Sequence, residues 1–173
     1  MKTDTGSTRL APLTDAVSTH RFVADMTPEY IEKMIEVAMF KHFEAQEIIF
    51  KEGEPANRFY LICQGRIALE TTTDLGEATP IQTLGANDVL GWSWLFPPYH
   101  WHFSARALEP TKAVFFYGTR LRKQCEDDPG FGYELIKRVA GILIYRLQNT
   151  RLRMLHPPSK AARRIRRDVG FII

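Results

Sequence analysis

The stretch "IIFKEGEPANRFYLICQGRIAL", Ile48–Leu69, decides how the chain folds. Three short apolar runs, "IIF", "RFYLIC" and "IAL", are parted by "KEGEPAN" and "QG". The runs are rich in β-branched and aromatic residues, which suit a pleated surface, and Gly and Pro punctuate the gaps. That combination predicts strands joined by tight turns. The rhythm continues outward. "RIALETTT" leads to "DLGEA", "PIQTL" to "GANDVLG", "WHFSARAL" to "EPT", and "AVFFY" closes the series at Tyr117. Strands and turns recurring at such short spacing from Phe43 to Tyr117 predict an antiparallel β-roll, a jelly-roll barrel. "WSWLF", residues 92–96, reads as one helical turn between strands.

Helical patterns flank the strands. Thr27 is a good N-cap and Pro28 suits the first helical position. Ile31, Ile35, Ala38 and Met39 recur at helical spacing, which predicts a helix ending near Phe40. "TRLRKQCEDD" after Gly118 reads as a short helix stopped before Pro129. Gly130 to Leu155 reads as one long helix, ended by Pro157-Pro158. Along it Ile136, Ala140, Leu143 and Leu147 step by four and three, a heptad seam, beside a second apolar stripe of Leu135, Val139 and Ile142. One stripe is expected to pack on the barrel and the other on a partner helix, giving a homodimer. The fold class is therefore mainly β with flanking helices, a roll followed by a long C-terminal helix. Three regions follow: a flexible lead at residues 1–19, a domain at 20–155 and a tail at 156–173.

Of the 173 residues, 45% are apolar and 25% charged, ordinary values for one globular domain. No apolar run approaches a membrane span, and the first residues lack the apolar segment of a secretory signal. Two cysteines, Cys63 and Cys125, are too few for a disulfide framework and fit a reducing cytosol. The net charge of +3 hides an asymmetry. Residues 151–173 carry seven Lys and Arg against Asp168 alone, so the first 150 residues stand at −3. The basic tail is expected to meet nucleic acid, an anionic membrane surface or an acidic partner, or simply to be solvated.

The quoted stretch, "LGANDVLGW" and "ARALEPTKAVFF" together resemble the cyclic nucleotide-binding domain of the Crp/Fnr regulators, over about residues 20–155. Gly53, Gly65, Gly85 and Gly91 fall where that family turns sharply, and glycine tolerates the positive φ such turns need. The resemblance implies a regulatory domain with a phosphate-binding cassette after Gly91. Members that bind cAMP or cGMP open the cassette with Gly-Glu, the Glu receiving the ribose hydroxyl. A later Arg pairs with the cyclic phosphate. Here Trp92 follows Gly91, and aligning on "ALEPT" sets Trp101 at the Arg position, with His102 there if the register slips by one. The candidate cassette is thus Gly91, Trp92, Ser93, Trp94, Trp101, His102, Phe103 and Ser104. Strand parity puts Trp101, Phe103, Ala105 and Ala107 on one face and His102, Ser104 and Arg106 on the other. Neither Trp nor His offers a guanidinium fork, so binding of cAMP or cGMP is expected to be weak, and an apolar small molecule becomes an alternative ligand. The aromatics Trp92, Trp94, Phe96, Tyr99, Trp101 and Phe103 could equally fill the interior.

Two other readings remain open. His100 and His102 form a strand pair of the kind that holds metal in cupins, but the accompanying Glu and third His are missing nearby, so no metal site and at most a cupin-like enzyme as a low-ranked alternative is expected. No nucleophile elbow, Ser-His-Asp order or paired carboxylates mark a catalytic centre. Only eighteen residues follow Leu155, too few for the helix-turn-helix domain of Crp/Fnr regulators. The sequence thus predicts a stand-alone sensor domain, or else an adaptor dimer that binds no ligand.

Overall fold

The computed structural model describes residues 7–72 and 78–155. The tail at 156–173, Pro157-Pro158 and most of the turn expected at residues 74–78 lie outside the described residues. The elements run α1 (Ser7–Ser18), α2 (Pro28–Ile35), β1 (Ala38–Phe43), β2 (Ile48–Phe50), β3 (Arg58–Gln64), β4 (Ile67–Thr72), β5 (Ala78–Leu84), β6 (Val89–Leu90), β7 (Ser104–Ala107), β8 (Thr111–Tyr117), α3 (Gly118–Asp127) and α4 (Pro129–Leu155). Single 3-10 turns sit at Arg21–Val23 and Trp92–Leu95.

The eight strands form two antiparallel four-stranded sheets, ordered β1-β8-β3-β6 and β2-β7-β4-β5. The roll is therefore two sheets, without closure into one continuous barrel. β3 and β8 read almost continuously apolar because both faces are buried. Tyr60, Ile62, Ala113 and Phe115 join the core that also contains Ile67, Leu69 and Ala105 of the second sheet. The alternate residues face the other layer: Phe59 meets the rings of Phe22, Trp94 and Phe116 at 5.2, 5.9 and 5.8 Å.

Three sequence expectations change. The lead expected to be flexible is helical from Ser7 to Ser18, with Leu13 and Val17 buried. The helix from Pro28 stops at Ile35, short of Phe40, and Ala38–Phe43 become β1, paired in register with β8 from Ala38↔Phe116 to Phe43↔Thr111. A six-residue ladder outweighs the modest helix propensity of "VAMF". Gly85 has no positive φ; Asn87 takes that position in the β5–β6 turn at φ 67°. Gly65 does need to be glycine: at φ 95°, an added Cβ would lie 2.3 Å from the Thr111 hydroxyl.

The chain divides after Tyr133, inside α4, into two compact units. In the first unit, Lys33 of α2 pairs with Asp128, which also accepts the Phe131 N–H at 3.1 Å and so caps α4. The Lys33 hydrogen bond holds the Asp128 carboxyl below its ordinary range. In the second unit, Glu134 bonds Lys137 and Arg138 at 2.6 and 2.8 Å. There Leu135 and Val139 are buried, whereas Ile136 and Leu147 of the neighbouring stripe are 45% and 71% exposed. No helix among the described residues is long and apolar enough to cross a membrane.

Candidate functional site

The cassette begins at Gly91, held at φ 87° against the Arg58 carbonyl and the Trp101 ring, where a Cβ would come within 2.9 and 3.1 Å. That conformation launches the 3-10 turn Trp92–Leu95. Trp94 turns inward, 1% exposed, onto Phe59 and against Gly118, and its carbonyl accepts from Arg122 Nη1 at 2.8 Å. The loop then passes through a cis Pro97-Pro98 bond, and the Arg122 guanidinium lies 4.1 Å over the Tyr99 ring. Backbone bonds from Trp101 N to Glu54 O and from Gly53 N to Trp101 O, both 2.9 Å, seat the end of the loop beside the β2–β3 turn.

The strand expected from Trp101 begins only at Ser104, yet the side chains before it still separate by direction. Trp101 is 3% exposed and stacks nearly parallel on Phe50, ring centroids 3.9 Å apart. Its indole N–H is buried with no hydrogen-bond partner, as is that of Trp94. His102 points the other way, into solvent, and stacks on the half-buried Trp92 at 5.4 Å. Its Nδ1 lies 3.0 Å from the Ser93 hydroxyl. Phe103 is half-buried, and Ser104 Oγ accepts the Glu52 N–H at 3.0 Å. Arg106, the nearest guanidinium in the strand, forks onto Glu70 at 3.1–3.3 Å on the outward face. Of the two residues that the sequence offers at this point of the candidate cassette, Trp101 is buried and His102 is exposed. His100 bonds the Pro98 carbonyl at 2.8 Å and His102 bonds Ser93, so the two histidines engage different partners. No group of three or more His, Cys, Asp or Glu among the described residues is placed to hold a metal ion.

Two of the features just described were beyond sequence reasoning: the Phe50–Trp101 stack, which joins strands far apart in the chain, and the Glu70 partner of Arg106. Residues 40–128 match the model of the cyclic nucleotide-binding domain. The chain belongs to the cyclic nucleotide-binding domain family. An uncharacterized protein of Haemophilus influenzae is 26% identical over 123 residues, which cover 71% of this chain and 93% of that one. The CRP-like cAMP-activated global transcriptional regulator of Mycobacterium tuberculosis is 27% identical over 108 residues, covering 62% of this chain and 46% of the regulator. Among solved structures, a cyclic nucleotide-binding protein of Geobacter metallireducens superposes with a TM-score of 0.71 at 28% identity, over 78% of this chain and 97% of its own. This family member keeps the frame of the cyclic nucleotide-binding domain, and the residues it buries along the candidate segment, Trp101, Ala105 and Ala107, are apolar.

Proposed function

We propose that this protein is a regulatory, ligand-sensing domain whose cassette no longer recognises a cyclic phosphate through charge. One observation carries the reading. Trp101, at the position of the phosphate-binding Arg, is packed into the core on Phe50. Each charge-assisted pair that is lost costs about 2–5 kcal/mol when its partner stays buried. Losing both the ribose acid and the phosphate base raises a micromolar dissociation constant by roughly a thousandfold or more. A neutral ligand with an apolar body and one acceptor suits the unpartnered indole N–H of Trp101 better. The role is binding, not catalysis, in a cytoplasmic setting that suits two free cysteines.

Calorimetric titration with cAMP and cGMP is the test. We expect no detectable binding to the unmutated protein, and partial recovery in Trp92→Glu with Trp101→Arg, checked for folding by circular dichroism. Micromolar binding by the unmutated chain would overturn the reading, because backbone donors after Gly91 would then suffice.

A second reading, an adaptor dimer, draws on the exposed stripe of α4, where Ile136 and Leu147 stand open while Ala140 and Leu143 are half-buried. Burying that stripe against a second copy would form a two-fold seam. Leu143→Glu with Leu147→Glu should then sediment as a monomer. An unmutated protein already monomeric at tens of micromolar removes this reading. The basic tail, Lys160–Arg167, is the proposed contact to an anionic partner.

A further inference from the structure

A pocket of about 260 Å³ opens on the second sheet, on the side away from the core. Ser104 and Arg106 of β7 alternate with the buried Ala105 and Ala107, and they line this pocket together with Glu70 of β4. Lys51 and Glu52, from the turn after β2, form one wall, and Ile48 adds an apolar edge.

Hydrogen-bond accounting shows what the pocket lacks. Both Glu70 oxygens receive Arg106, through Nε and Nη2. Glu52 accepts the Thr71 hydroxyl at 3.0 Å. Ser104 Oγ accepts the Glu52 N–H, which leaves its own O–H without an acceptor among the described residues. A guanidinium has five N–H donors, and Arg106 Nη1 makes no bond among the described residues. The Lys51 ammonium likewise has no ion pair among them. The site therefore holds three donor groups with uncommitted hydrogens, while one carboxylate is fully engaged and the other partly so.

We propose that this pocket binds the carboxylate of a small aliphatic acid. Donor excess calls for an acceptor-rich head, and an oxyanion supplies it. Arg106 and Glu70 are spent on each other, while the Lys51 ammonium makes no ion pair among the described residues and is the cation left to receive a single added negative charge. A phosphate dianion would instead set surplus charge against Glu52 and Glu70. Ile48, 46% exposed, offers its side chain to a short hydrocarbon body. The volume lies below the roughly 300–1,000 Å³ of pockets for drug-sized ligands, which limits the acid to a few carbons.

The pocket is separate from the cassette, so its test stands apart from that of the proposed function. The full chain, labelled with nitrogen-15, is titrated with butyrate, and in parallel with inorganic phosphate and butylamine. Saturable shifts centred on Lys51, Ser104 and Arg106 are expected with butyrate, at a millimolar dissociation constant, and no saturation with the other two. Lys51→Gln and Ser104→Ala, both at positions outside the buried core, should each raise the butyrate constant about tenfold, equivalent to about 1.4 kcal/mol. Three results would each overturn the proposal: no saturation by butyrate at tens of millimolar, phosphate binding as tight as butyrate, or a butyrate constant unchanged in both variants.

Discussion

The two faces of one short segment, Trp101 to Ala107, have opposite chemistry. Inward, Trp101, Ala105 and Ala107 are buried and apolar. Outward, His102, Ser104 and Arg106 each make a polar contact, with Ser93, Glu52 and Glu70. The resemblance to cyclic nucleotide-binding domains implies a cation on the inward side, and here Arg106 lies on the outward side instead. Here the charge stands outside, where Glu70 meets it, and the inside is packed. A strand alternates its side chains with period two, so one face can change its chemistry while the other face and the backbone ladder stay in place.

The largest expected effect comes from emptying the inward face. Trp101→Ala removes a ring that is stacked on Phe50 and 3% exposed, and should lose about 3–5 kcal/mol of stability in urea unfolding. A loss below about 1 kcal/mol would mean that Trp101 lines a yielding pocket and is not packed core. Next is the outward fork. Arg106→Met strands Glu70, whose side chain is only 13% exposed, and should lose about 1–2 kcal/mol after allowing for the 30% exposure of Arg106. Adding Glu70→Gln should restore most of that loss, which a double-mutant cycle would measure.

A smaller effect depends on pH. His20 is buried, its Nδ1 accepting the Phe22 N–H at 3.1 Å. Burial pushes the imidazole below its ordinary 6.5, with the backbone of Ile62 and of Asp88 and the Asp88 charge offsetting part of the shift. The unfolded chain then takes up a proton near pH 6.5 while the folded one stays neutral. Stability should be fully present above about pH 6.5 and decline as the pH falls below it. His20→Gln should flatten that slope in denaturation curves taken between pH 7 and pH 5, and an unchanged slope would assign it to other groups. The smallest effect belongs to His102→Ala, exposed on Trp92. Stability should move by less than about 0.5 kcal/mol, while tryptophan emission shifts because the stacked ring is gone. A larger loss of stability would place His102 in the packed structure and erase the contrast between the faces.

Much of this was legible in the chain itself. Short apolar runs with glycine between them marked β2, β3, β4, β5, β7 and β8 because the signals are local: side-chain alternation, and turns such as Gly65 that reject a Cβ. Alternation also gave the two faces of β7, and heptad spacing marked the two stripes of α4. What the sequence could not decide was pairing. Ala38–Phe43 has a helical pattern and becomes a strand only because β8, late in the chain, supplies a ladder for it. Val89–Leu90 is too short to register alone and is a strand only beside β3. The register that puts Trp101 inside and His102 outside rests on Phe50 and the β2–β3 turn, and the partner of Arg106 rests on β4 lying next to β7. Local propensities are worth tenths of a kcal/mol per residue, whereas a buried ring or a completed ladder is worth several, so contacts distant in sequence settle every position where the two disagree.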